Sequence, residues 1–217
     1  IGTWIQNVAQ GWLVFQITNS AFLLGLVGFL GSIPIFIFSL FGGLLADRLN
    51  KRNILIFTQT AFMLFAFLLA ALTQFQLIKP YQIMLIALAN GVIMAFDAPA
   101  RQSIVAELVG KKHLFNAIAL NSVSFNSSRI IGPAIAGMLI SVIGMSGCFY
   151  LNGISFLAVI AALFLIKIEK PGARPSGSAV KELKEVLIFV RDNQYILALV
   201  SMVAVVSLFG ISYVILM

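Results

Sequence analysis

Seven apolar stretches separated by short connectors leave this chain few possible folds. A helix needs about 20 mainly apolar residues to cross a bilayer. By that ruler the segments fall at 1–17, 21–45, 54–77, 81–96, 114–143, 146–166 and 195–217. In hydrocarbon every backbone N–H and C=O must be satisfied inside the structure, so repeated spans of this length predict an all-α membrane protein. Only 10% of the 217 residues are charged, against about 25% in a soluble domain; a polar surface is out of reach. Ile1 and Met217 both lie inside apolar segments, so the chain reads as part of a longer one. Residues 1–166 then form a six-helix bundle, 167–194 a connector, and 195–217 the start of a second bundle.

The basic residues give the bundle a direction. Arg48, Lys51, Arg52, Arg101, Lys111, Lys112 and the six bases of 167–194 fall on one side, Lys79 alone on the other, and Arg129 within a span. Basic connectors stay cytoplasmic, which places 46–53, 101–113 and 167–194 on the inner face of a cell membrane. A net charge of +7 and pI near 9.9 are also values that nucleic-acid binders carry. Bases set between apolar spans instead suit anionic lipid headgroups, and no nucleic-acid partner is expected.

The chain carries one cysteine, Cys148, in an apolar stretch, and one histidine, His113, in a basic connector. That excludes a disulfide framework and a clustered metal site, and no cofactor is expected. No nucleophile–base pair or phosphate loop is present, so an enzyme is not expected.

Polar residues inside the spans are the candidate site, because each is costly in hydrocarbon unless bonded. Thr3, Gln6, Asn7 and Gln10 recur at helical spacing on one face of the first segment. They serve either as hydrogen-bonding contacts between helices or as the lining of a watery cavity. Asp97 and Arg101 are four apart and pair if the helix runs on through Pro99; otherwise they are loop charges. The fifth segment is the most polar, with Ser122, Asn126, Arg129 and Pro133 on one face. Arg129 is about 15 residues, roughly 22 Å, from each end of that segment. A mid-membrane arginine costs at least about 2.5–3.5 kcal/mol on insertion scales, so it must meet protein, water or an anion. Glycines at 25, 28 and 31, then Pro34, suit a closely packed second helix with a kink. Beyond residue 179, Val180, Leu183, Leu187 and Val190 form the apolar stripe of an amphipathic helix that lies on the cytoplasmic membrane surface or packs as a soluble helix against the bundle.

Between the second and third spans lies Gly42-Gly43-Leu44-Leu45-Ala46-Asp47-Arg48-Leu49-Asn50-Lys51-Arg52. Asn50 is suited to a positive-φ turn, and Gly43, four before Asp47, to close approach of a neighbouring helix. The stretch resembles the signature loop between helices 2 and 3 of the major facilitator superfamily, with Asn50 in place of the second turn glycine. Trp4-Ile5-Gln6 through Ser20, Asp97-Ala98-Pro99-Ala100-Arg101-Gln102, Glu107-Leu108-Val109 and Asn116-Ala117 are similar to its transmembrane secretion effector branch, which includes macrolide-efflux and enterobactin-exporter proteins. Gly132, Pro133 and Gly137 resemble the antiporter motif of helix 5, with Ser128 where its first glycine would fall. Ala87 stands where the superfamily's fourth-helix arginine would align, which makes Arg129 the candidate substitute.

The resemblance implies twelve helices, of which these are the first six and part of the seventh, and a substrate site near the midplane. It also implies a secondary transporter, a proton-driven exporter of small amphipathic molecules such as drugs, macrolides or siderophores. An uptake carrier and a non-transporting scaffold or sensor are the alternatives. Gly43, Asp47, Arg48, Lys51 and Arg52 would form the conformational latch, with Asp47 capping a helix of the other half. Gln6, Gln10, Asp97, Asn126 and Arg129 would lie on the substrate or proton pathway. Small-molecule substrate, protons and membrane lipids are the implied partners.

Overall fold

Asn19 takes the left-handed conformation (φ 46°, ψ 34°) and sends its N–H back to the Phe15 carbonyl, ending the first helix. Ser20 then opens the second, its hydroxyl accepting from the Leu23 N–H. The computed structural model describes residues 1–166, 189, 193–199 and 201–202. The chain divides into two units, Ile1–Ala173 and Arg174–Met217.

In the first unit every described element is a helix: α1 (Gly2–Thr18), α2 (Ala21–Arg48), α3 (Lys51–Gln74) and a long helical run, Pro80–Leu165. That run breaks at Gly110 (φ 64°) and Gly144 (φ 70°), where only glycine is unstrained. The breaks divide it into α4 (80–109), α5 (111–143) and α6 (145–165). Among the described residues, four stretches are long and apolar enough to cross a membrane: Ala21–Arg48, Lys51–Gln74, Pro80–Gly110 and Lys112–Leu165, the last holding both α5 and α6. The reading places six spans at 1–166; there the structure has these four stretches and α1, which is 17 residues long. The amphipathic stripe from Val180 and most of the seventh segment lie outside the described residues. In the second unit, the Asn193 side chain accepts from the Ile196 N–H (3.3 Å) at the start of the helical stretch 194–199.

The main core joins one face of each rod: Ile5, Leu13 and Val14 of α1, Val27 of α2, Leu69 of α3, Ile83 of α4, Ala136 of α5 and Phe149 of α6. A smaller cluster of Ala46, Leu55, Ala100, Ile104 and Leu163 closes the basic end.

Two expectations are corrected. Asn50 is not a positive-φ residue: at φ −68°, ψ 110° it is the N-cap of α3, its side chain accepting from the Arg52 (3.0 Å) and Asn53 (3.4 Å) N–H groups. The fourth segment does not stop at Phe96. α4 continues through Pro99 to the break at Gly110, so 101–109 are helix and not a connecting loop. Proline lacks an N–H and leaves the carbonyl four residues earlier, Ala95, without its helical donor; Gly42 of α2 packs against that carbonyl.

Candidate functional site

At the basic end, Asp97 on α4 is fully buried. Its Oδ1 accepts from the Thr58 hydroxyl (2.7 Å) and from Gln59 Nε2 (2.7 Å), both on α3. Its Oδ2 pairs with Arg101, one helical turn on, whose side chain is 52% exposed. A buried charge is tolerable only when paired and fully bonded, and here three donors satisfy it. The continuation of α4 through Pro99 brings Asp97 and Arg101 together. The sequence analysis does not single out Thr58 and Gln59; the polar run Thr58-Gln59-Thr60 in a mainly apolar span is the signal that marks them.

The turn between α2 and α3 is tied to the same end. Lys51 forms an ion pair with Glu107 of α4. Arg52 donates to the Phe164 carbonyl of α6 (2.8 Å) and lies over its ring, 5.7 Å from the centroid. Arg48 is half-buried, and Asp47 is exposed with no partner among the described residues. The close approach expected of Gly43 belongs instead to Gly42. A Cβ at Gly42 would overlap the Ala95 carbonyl and lie 3.1 Å from the Phe96 Cα, whereas one at Gly43 would meet nothing within 4 Å.

The polar face of α1 is divided. Gln6 is 6% exposed and accepts from Asn152 Nδ2 of α6 (2.7 Å), while Gln10 is half-buried and Thr3 and Asn7 are exposed. Of the two readings of this face, Gln6 takes the interhelical bond; Asn152 lies 146 residues away in sequence. On α5, Ser122, Asn126, Arg129 and Pro133 are all exposed, as their shared face requires. The Asn126 amide turns back to the Ser122 carbonyl (2.8 Å). Gly132 is buried against Trp4, where a Cβ would stand 2.5 Å from that residue's own. Trp4 also packs edge-on to Phe125 (5.7 Å). Gly137 has open space beside it and, with Val8, Trp12 and Ile140, lines an apolar groove of about 310 Å³ between α1 and α5. Among the described residues, no cluster of His, Cys, Asp and Glu could hold a metal ion.

The sequence profile of the family described as transmembrane secretion effector matches residues 1–217, and the chain belongs to that family, a branch of the major facilitator superfamily. It is similar to the staphyloferrin A transporter of Staphylococcus aureus, 32% identical over 75% of this chain and 42% of that protein. The multidrug efflux pump Tap of Mycolicibacterium fortuitum is 28% identical over 83% of this chain and 45% of its own length. Macrolide efflux protein A of Streptococcus pyogenes is 22% identical over 84% and 46%. The chain thus spans somewhat under half the length of these relatives. A multi-pass membrane protein of a transporter family accounts for both the apolar rods and the matched profile.

Proposed function

We propose that the whole protein is a proton-coupled efflux antiporter of small amphipathic organic molecules, working by alternating access with its basic end in the cytoplasm. The observation that carries this reading is the contrast at that end between tied and untied charges. Lys51, Arg52, Asp97 and Arg101 are committed to partners on α3, α4 and α6, whereas Asp47, one residue before the α2 terminus, is exposed and has no partner among the described residues. A carboxylate so placed suits the positive N-terminus of a helix in the other half, an interaction worth about 0.3–1 kcal/mol when exposed and about 2 when partly buried. A latch needs only a few kcal/mol to shift two states by a factor of hundreds. Gly43, Arg48 and the Lys51–Glu107 pair belong to the same latch, and the pair rearranges as the bundles rock. Gly132, Pro133 and Gly137 let α5 bend and pack closely. Asp97, the buried acid held by Thr58, Gln59 and Arg101, is the candidate for the proton pathway. Gln10, Asn126 and Arg129 line the substrate path, with Gln6 fixing α1 beside it.

The relatives named for multidrug and macrolide efflux support export over uptake. The test is Asp47→Asn in the full-length protein, assayed as rhodamine 6G accumulation in inverted membrane vesicles. A gate role gives normal membrane insertion with accumulation reduced about tenfold or more; accumulation equal to wild type removes Asp47 from the latch.

A further inference from the structure

Arg129 stands without a counter-charge at mid-depth. In α5 it lies 18 residues from one end and 14 from the other, about 27 and 21 Å at 1.5 Å per residue. It is exposed, and among the described residues it has no hydrogen-bond or ion-pair partner. Among the described residues, no acid lies at that depth. Asp97 and Glu107 are paired at the basic end and Asp47 is at the end of α2 there. The other four of the seven, Glu169, Glu182, Glu185 and Asp192, fall between the sixth and seventh apolar segments.

A second, independent feature marks the same place as polar. Pro133 has no N–H, so the Arg129 carbonyl lacks its helical donor. Lipid can satisfy neither an orphaned carbonyl nor a guanidinium, so this side of α5 faces water or protein. The neighbours add the other half of an amphipathic site. Trp4 packs edge-on to Phe125, four residues before Arg129 on α5, and against Gly132, three residues after it, and Ser122 and Asn126 are exposed on its own face.

We infer that Arg129 recognises an anionic group on the cargo, and that the substrates of this transporter include small amphipathic molecules bearing a carboxylate. The inference rests on the transporter reading above and narrows its substrate class. A guanidinium presents paired N–H donors that match a carboxylate in two parallel hydrogen bonds, and the aromatic pair takes the apolar body of the same molecule. Because the guanidinium has no partner among the described residues, the anion supplies what lipid cannot.

The test uses the full-length protein, purified in detergent, with three carboxylates (carboxyfluorescein, cholate and indole-3-acetate) and the cationic dye rhodamine 6G, binding being measured by equilibrium dialysis. At least one carboxylate should bind wild type. Its affinity should fall about ten- to a hundredfold in Arg129→Gln, the effect of losing one charge-assisted contact, and less in Arg129→Lys; in both variants the loss for the carboxylate should exceed any loss for rhodamine 6G. If Arg129→Gln does not fold, the Lys variant decides, since it keeps the charge but loses the bidentate fork and should weaken carboxylate binding several-fold. Failure of all three carboxylates to bind wild type, or undiminished binding in the variants, overturns the inference. So does a lowered melting temperature of ligand-free Arg129→Gln with carboxylate binding intact, which would mark Arg129 as one side of a structural ion pair with the rest of the longer protein. The transporter reading is tested apart from this: rhodamine 6G driven by a proton gradient, with no carboxylate bound, sinks only the anion assignment.

Discussion

Gly42 of α2 lies directly against the Ala95 carbonyl of α4, the carbonyl that Pro99 leaves without its helical N–H. The hydrogens of a glycine Cα are the only groups small enough to fit there, and they offer that oxygen a weak C–H contact in place of the missing donor. Glycine and proline on different helices thus share one junction at the basic end.

Substitution separates the two neighbouring glycines. Gly42→Ala forces α2 and α4 apart and should destabilise the full-length protein by about 1–3 kcal/mol, the usual cost of overpacking. Gly43→Ala, with open space around it, should be neutral or slightly stabilising through its better helix propensity. Melting followed by size-exclusion chromatography of detergent-solubilised protein reads both.

The Asp97 network makes a graded series. Thr58→Val keeps the shape but removes one hydrogen bond to a buried charge, a loss of about 1.5–3 kcal/mol. Asp97→Leu leaves Thr58, Gln59 and Arg101 without their shared acceptor and should cost about 3–5 kcal/mol. Unfolding in increasing sodium dodecyl sulfate should rank wild type, Thr58→Val and Asp97→Leu in that order. Equal stability of the three would show that the network carries no weight in the fold.

Gln6 and Asn152 bridge α1 and α6 inside the bundle. Gln6→Leu or Asn152→Leu alone strands a buried amide, while the double substitution removes both. A double-mutant cycle on the same unfolding readout should return a coupling of about 0.6 kcal/mol and no more than about 1.7.

Helix α5 offers a control within one motif. A Cβ at Gly132 would press on Trp4, whereas Gly137 has nothing within 4 Å. Gly132→Ala should displace α1 from α5, lowering both melting temperature and rhodamine 6G transport. Gly137→Ala should leave the melting temperature unchanged.

The six rods were legible because hydropathy over spanning length is a property of single segments, and lipid permits one answer to it. The Asp97–Arg101 pair was legible as a spacing of four, conditional on Pro99 being tolerated inside the helix. What sequence left open is what depends on other helices. Adjacent glycines differ by a rotation of about 100° around the helix, so only the position of α4 decides between Gly42 and Gly43. The partner of Gln6 lies 146 residues away, and no local pattern encodes it. Asn50 was misread because the polar side chain that tolerates a left-handed turn is equally the one that caps a helix N-terminus. The two roles part on mutation: Asn50→Gly costs only a few tenths of a kcal/mol as a cap, and Asn50→Ala about 0.5–2.

Proton-driven export remains the claim from which the roles of the latch and the α5 face follow. The direct measurement reconstitutes the full-length protein in liposomes and imposes an acidic interior while rhodamine 6G is supplied outside. An antiporter oriented with its basic end outward accumulates the dye in the lumen as protons leave, and loses that accumulation when a protonophore collapses the gradient. Dye entry no faster than in protein-free liposomes, with no dye-dependent proton efflux, would contradict it.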